Sequence, residues 1–375
     1  MATTAIISEN RDTEKTLVVV FLRGGADGLH LVTPHGDDSY YRARPTIGLK
    51  KTELLDIDGF FGLHPNLSAI LPWWKEGKLS AIHSVGSEDQ TRSHFEAQDF
   101  MEHGGLAAGG WLGRFLRVRP DAGESPLTAV AIGSQLPECL RGAPSCAAMQ
   151  SLQDFGLGKY AKPEFIQQLA GMYGSTPDLL GTAGAQALAA LKKIESLTND
   201  RSAPANGAQY GNDTFGQGMK QIAKLLKARV GVQAVAISLG GWDSHLTQSS
   251  VINSPILQLG NGLAAFAQDL GGKLLDHATV IVMTEFGRRV AENSAGGTDH
   301  GLGSAMFLLG GNHQGGRMHG TWSGLATTQL SGPGDLPVIN NYRNVLAPLL
   351  SNISASAPMN QVFPNFSLDP ISSLS

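Results

Sequence analysis

Two periodicities alternate along the chain. Short runs of β-branched and apolar residues, over 16–22, 79–84, 127–132, 233–238, 278–283 and 305–309, are separated by longer stretches of helical period. Runs this continuous predict strands buried on both faces, and their alternation with helices predicts a mostly parallel sheet with crossover connections. The helical pattern covers 66–76, 95–103, 111–118, 163–173, 177–197, 214–228 and 256–276. In the last of these, Leu257, Leu259, Leu263, Phe266 and Leu270 are expected to share one face. The polar stretch 198–212 reads as an exposed loop closing a helical insert near 163–212. No internal repeat or shift of composition marks a second unit. The expectation is one α/β domain over 16–352, with 1–15 and 353–375 as surface tails.

Composition narrows this picture more than it changes it. Of 375 residues, 42% are hydrophobic and 16% charged, which supplies a sizeable core and argues against extensive disorder. Many of the 47 glycines sit at the ends of apolar runs, where tight turns bring backbone close to a ligand. A net charge of −4 with no Lys/Arg block sets nucleic acid aside as a partner. Cys139 and Cys146 have neither CxxC spacing nor a histidine pair beside them, so they read as two thiols, with a loop disulfide the alternative. Residues 1–15 are polar, without an apolar signal core or twin arginines, and 17–22 is too short to span a bilayer. The expected location is cytoplasmic as written, or exported if a twin-arginine leader was removed before numbering.

The chemistry collects by position. Ligands of open α/β sheets bind outside the carboxyl ends of the strands. Strand 16–22 is followed by Arg23-Gly24-Gly25-Ala26-Asp27, and strand 79–84 by Thr91-Arg92-Ser93-His94. Strand 233–238 runs into Trp242-Asp243-Ser244-His245, and strand 278–283 into Glu285-Phe286-Gly287-Arg288. A fifth cluster, Thr298-Asp299-His300, precedes the last strong strand. Distant segments thus bring Asp, Glu, His and a hydroxyl to one edge of one sheet. Hard oxygens with imidazoles suit Zn, Mn or a related divalent ion, which can polarise a phosphoryl oxygen or lower the pKa of a bound hydroxyl.

The phrases FLRGGADGLHLVTPHGD, LHPNL, TRSHFEAQDFME, GWLGRFL, GGWDSH, TEFGRRVAENSAGGTDHG and MFLLGG resemble the bacterial domain-of-unknown-function family fifteen-oh-one, in order, from about Thr16 to Asn352. That family is placed in the sulfatase-like part of the alkaline phosphatase superfamily. The resemblance implies a three-layer αβα sandwich with a mostly parallel central sheet, holding one or two divalent ions (Zn, Mn, Ca or Mg) beside a nucleophile. It implies that Asp27 is an acidic ligand, that Ser93 is the nucleophile with Thr91 second, and that Asp243, His245 and His300 hold one metal. It implies that Glu285 with Asp27 supports a second ion or orients the nucleophile, although Glu285-Phe286 stands where an Asp-His pair is usual, and Phe286 puts that second metal in doubt. No C-x-P-x-R sequence supports formylglycine chemistry.

Each residue also has a structural reading. Asp27 can stabilise a turn, and Ser93 with Glu96 forms a capping-box pattern. Asp243 and His245 can be a surface pair, and Glu285 can ion-pair with Arg288 or Arg289. His64 is expected to begin a helix or pack, while His277, His313 and His319 look like solvent or loop residues. The function expected is a metal-dependent hydrolase of phosphate or sulfate esters on a small molecule or glycan. Ser93 attacks in that reading, and Arg92 or Arg288 neutralises oxyanion charge. The alternatives are a non-catalytic metal- or ligand-binding protein on the same fold, or phosphoryl-transfer or mutase chemistry.

Overall fold

The computed structural model describes residues 15–119, 125, 127–153, 162–175, 179–198 and 202–374. The first part of the expected 177–197 helix and part of the expected loop 198–212 lie outside the described residues.

The principal strands are β1 (Thr16–Leu22), β2 (Leu79–Gly86), β3 (Ala129–Ile132), β4 (Cys146–Met149), β5 (Ala234–Leu239), β6 (Ala278–Thr284) and β7 (Ser304–Gly310). Two-residue strands β8 (Met318–His319) and β9 (Asn340–Asn341) both pair with β2. The order across the sheet is β8-β2-β7-β6-β1-β5-β3-β4. Every pairing is parallel except those of β7, which runs antiparallel to both β2 and β6. A second, three-stranded sheet of two-residue strands lies within 32–63.

The sheet is buried on both sides, and strand parity divides its side chains. Val18, Val20 and Leu22 of β1 face one layer, and Leu17, Val19 and Phe21 face the other. The first layer contains α4 (Leu179–Thr198), α5 (Thr214–Lys227) and α6 (Asn253–Asp276), which contribute Ile194, Met219 and Leu263. The second contains α1 (His94–His103), α2 (Trp111–Val118) and α7 (Tyr342–Ile353), through Met101, Phe115 and Leu346. This is the three-layer αβα sandwich expected. A further helix, α3 (Pro163–Gly174), pairs with α4. Among the described residues, no helix is long and apolar enough to cross a membrane.

Several expectations change in detail. The segment 66–76 is a 3₁₀ turn, Pro65–Ile70, running into a short helix, Leu71–Lys75, with His64 Nδ1 accepting from Asn66 N at 3.1 Å. Leu257 is 47% exposed while Leu259, Leu263, Phe266 and Leu270 are buried. Two residues turn a helix by about 200°, so Leu257 cannot share the face of Leu259. Residues beyond 353 do not simply lie on the surface, because Val362, Phe363 and Leu374 join the core. His319 is buried, hydrogen-bonded to Ser373 and Gln314, and His313 bonds Ser80 and Gly310. Both cysteines are free thiols, and burial raises the pKa of each.

Candidate metal centre

Parallel strands place their carboxyl ends at one edge, and the reversed direction of β7 delivers its amino end to that same edge. The loop before β7 therefore meets the loops after β1, β2, β5 and β6. Two glycines permit the close approach. Gly24 has φ +119°, and a Cβ there would lie 2.8 Å from Asp243 N. A Cβ on Gly297 would meet His245 O at 2.2 Å. An antiparallel bridge between Arg288 and His300 ties the β6 loop to the β7 loop.

Three imidazoles converge on Asp243. His245 Nε2 lies 3.1 Å and His300 Nε2 3.4 Å from Asp243 Oδ1, and His94 Nε2 is 3.6 Å from Oδ2. The Nε2 atoms of His245 and His300 are 2.9 Å apart. The far side of each ring explains why the near side is available. His94 Nδ1 meets Glu285 Oε1 at 2.8 Å, and His300 Nδ1 meets the Arg92 carbonyl at 2.8 Å. Ionised carboxylates and carbonyls only accept, so both Nδ1 atoms carry the proton in the neutral rings and both Nε2 atoms present lone pairs. His245 Nδ1 lies 3.6 Å from Asp299 Oδ1. This is how acceptors behind a metal-binding histidine fix its tautomer.

Phe286 closes the back of the cluster, its ring 4.9 Å from His94 and 4.8 Å from His300. It is a buried wall. Burial lowers the pKa of His300. The hydrogen bond to Glu285 raises that of His94 against the opposing effect of burial. For Asp243, burial acts upward, but the bond and charge of Arg288 outweigh it, and the carboxyl titrates below its ordinary range.

The residues present fit a divalent ion. His94, Asp243 and His300 each offer a ligand atom, all within 4.8 Å of one another. His94 Nε2 is buried and has no hydrogen-bond partner. A tetrahedron with bonds of about 2.0–2.1 Å has edges of roughly 3.3 Å. The observed N···N and N···O separations of 2.9, 3.1, 3.4 and 3.6 Å bracket that edge.

The other expected site residues lie close by but are engaged differently. Glu285 is buried, and Oε1 accepts from Gly24 N, His94 Nδ1 and Gln98 Nε2 at 2.8–2.9 Å, while Thr284 Oγ1 donates to Oε2. It orients His94 and has no oxygen turned to the cluster. Asp27, expected as a ligand after β1, is also buried. Arg44 donates to both its oxygens, at 2.6 and 3.1 Å, Gln248 donates at 2.6 Å, and Leu29 N caps onto Oδ1 at 3.1 Å. Asp27 thus stands apart from the imidazoles, as a buried ion pair and helix cap.

Arg288 donates to the carbonyls of Gly25 and Thr298 and, through Nη2, to Gly24 O and to Asp243 Oδ1 at 2.6 Å. The Arg92 side chain pairs with Asp335. The Arg288 guanidinium is thus fully committed to the loops, whereas Arg92 keeps a buried Nε without a partner. Ser93 precedes α1 as its N-cap, yet its side chain makes no capping bond. The capping-box reading is not realised.

Four positions escaped the sequence reading as site components: His94, Gln98, Arg44 and Gln248. His94 follows Ser93 directly in the strand-end motif, where the sequence leaves open whether it backs the site or points away from it. Its spacing of four from Gln98, which puts both on one helix face, was the available signal. Arg44 and Gln248 carried none.

An α/β sandwich with a His/Asp cluster at the carboxyl edge of its sheet defines the class of protein. The family described as "Protein of unknown function (DUF1501)" matches residues 83–347, and the chain belongs to it. No curated protein matches the chain. Among solved structures, it is similar to Ps i-CgsB in complex with k-i-k-neocarrahexaose. That likeness has 9% identity over 96% of this chain and 75% of the other, with a TM-score of 0.40. It is also similar to alkaline phosphatase from the Antarctic bacterium TAB5, at 12% identity over 82% and 94% of the two chains and a TM-score of 0.34.

Proposed function

We propose that the chain is a metal-dependent hydrolase of phosphate or sulfate esters, with His94, Asp243, His245 and His300 holding a divalent ion. The observation that carries the reading is the pair of backed imidazoles. Glu285 and the Arg92 carbonyl hold the Nδ1 protons of His94 and His300 away from the cluster, so both Nε2 atoms face Asp243. A bound ion would polarise the ester oxygens and favour the ionised form of an attacking hydroxyl. Ser93 supplies that hydroxyl: it is uncommitted as a cap and adjoins His94. The N-terminus of α1 adds unpaired backbone N–H groups that attract an anionic ester. Arg288 is a positioning residue, holding Asp243 against the histidines. Glu285 does the same for His94.

The test is elemental analysis of protein purified without added metal, followed by a panel of phosphate and sulfate esters. Stoichiometric metal with turnover is the expected result. Metal without turnover across the panel would move the chain to the class of binding proteins, and absence of metal would remove the reading.

A further inference from the structure

We infer that a cleft beside the metal cluster seats the part of the substrate that does not react, and that this part is uncharged and hydroxyl-bearing, a sugar ring or polyol. The inference rests on the ester-hydrolase reading only for which end of the ligand faces the cluster.

The cleft encloses about 450 Å³, within the roughly 300–1,000 Å³ of small-molecule sites. Helix α1 joins it to the cluster. His94, Gln98 and Glu102 recur at intervals of four along one face. His94 reaches Asp243, while Gln98 and Glu102 line the cleft with the ends of β3 and β5. Gln98 touches both regions, donating to Glu285 at 2.9 Å and accepting from Arg23 at 2.7 Å.

Charge decides the class of ligand. Arg23 is the cation among the lining residues, against Asp99, Glu102 and Glu138. Its guanidinium is already engaged with Ser238 Oγ at 3.0 Å, Gln98 Oε1 at 2.7 Å and Glu102 Oε1 at 2.5 Å. A phosphate- or carboxylate-bearing group would meet the Asp99 carboxylate and a guanidinium already shared among three protein acceptors. A cationic group fares little better. Glu102 is spent on Arg23 and Cys139 N, Glu138 on Arg141 and His103, and Asp99 is exposed, where solvent screening leaves an ion pair little to gain. A neutral group remains.

The walls then favour one with both apolar and polar faces. Phe95, beside His94, is 85% exposed, and Leu136 is 42% exposed across the cleft. Exposed aromatics of this kind offer a platform for a ring's C–H face. Ser134 and Gln135 bring hydroxyl and amide groups to the same rim.

The test is binding of the labelled full chain to an immobilised array of neutral glycans and their sulfated and uronic-acid analogues, with and without EDTA, and with metal content measured in parallel. Neutral glycans should be retained in both conditions, with matched anionic analogues at least about tenfold weaker. Phe95→Ala, at an exposed position, should weaken neutral-glycan binding by about tenfold with metal content unchanged. Asp99→Lys should narrow the gap between neutral and anionic glycans. Equal or tighter binding of the anionic analogues, no effect of Phe95→Ala, or no retained glycan at all would overturn the inference. Glycan binding without any metal would sink the hydrolase reading and leave the cleft standing. Metal without glycan binding would sink the cleft alone.

Discussion

Asp27 and Asp243 occupy equivalent places, each in the loop after a strand of one parallel pair, β1 and β5. Their surroundings are opposite. Asp27 is 2% exposed and meets an arginine, a glutamine and a backbone N–H. The Asp243 side chain is 49% exposed, meets one arginine, and otherwise faces imidazole Nε2 atoms. Strand-end position therefore brings a carboxylate to the functional edge without deciding its use. What decides it is whether protein donors already saturate the oxygens. The two are linked all the same: Gln248 donates to Asp27 and accepts from Ser244 Oγ at 2.9 Å and Thr298 Oγ1 at 2.5 Å. One buried amide thus ties the Asp27–Arg44 pair to the loops carrying Asp243, His245 and His300.

The largest effect should come from breaking the saturated side. Asp27→Ala leaves the fully buried Arg44 guanidinium without its counter-ion, which costs about 3–5 kcal/mol. Asp243→Ala, half-exposed, should cost under about 1 kcal/mol, because Arg288 keeps its carbonyl partners. Urea denaturation of both variants checks the contrast; equal losses would abolish it.

The dry side should also announce itself in acid. Burial lowers the pKa of His30 to about 3, and those of His64 and His83 to about 4. Unfolded histidines take up protons near pH 6.5, while these three stay neutral in the fold until about pH 4. The unfolded state binds more protons across that window, so stability is full above pH 6.5 and declines as pH falls towards 4. The urea midpoint measured from pH 8 to 4.5 should show it. A flat profile between 6.5 and 5 would mean that water or a partner reaches these rings.

Six of the strands were legible because each is a continuous apolar run, and β1 matches its expected bounds. Direction was not legible: nothing within 304–310 states that β7 runs antiparallel, yet that reversal brings His300 to the site. Strand β4, Cys-Ala-Ala-Met, is too short and small to stand out. Helix α7 was hidden by Pro348 in its interior. At the site, Asp243, His245, Glu285 and His300 could be read from strand ends. The fate of Asp27 could not, since it depends on Arg44, 17 residues on, and Gln248, 221 residues on.

On the unsaturated side, His300→Ala should weaken zinc binding by about 100-fold or more, since it removes one of the proposed ligands. Glu285→Gln should weaken it by about 10–100-fold, since it removes the charge behind His94 without removing the ring. A chelator competition with zinc ranks the two. If Glu285→Gln proves the more damaging, Glu285 is itself a ligand and the orienting role assigned to it is wrong.

The smallest structural effect belongs to Ser93→Ala. Replacing a capping serine ordinarily costs about 1 kcal/mol, because a helix N–H loses its acceptor. Ser93 makes no such bond, so the loss should stay within about 0.5 kcal/mol. Zinc affinity should not move, because the proposed ligand atoms are those of His94, Asp243, His245 and His300, and a neutral hydroxyl is not among zinc's usual protein ligands. In the proposed reaction Ser93 supplies the attacking oxygen, so ester turnover should disappear while fold and metal are kept. The three readouts answer different questions: a lowered melting temperature would restore the capping role, lost metal would make Ser93 a ligand, and retained turnover would pass the attack to Thr91 or a metal-bound water. Thr91 is already tied to Asp89, through Oγ1 at 2.8 Å. Ser93 is therefore the hydroxyl of the two that is free to act.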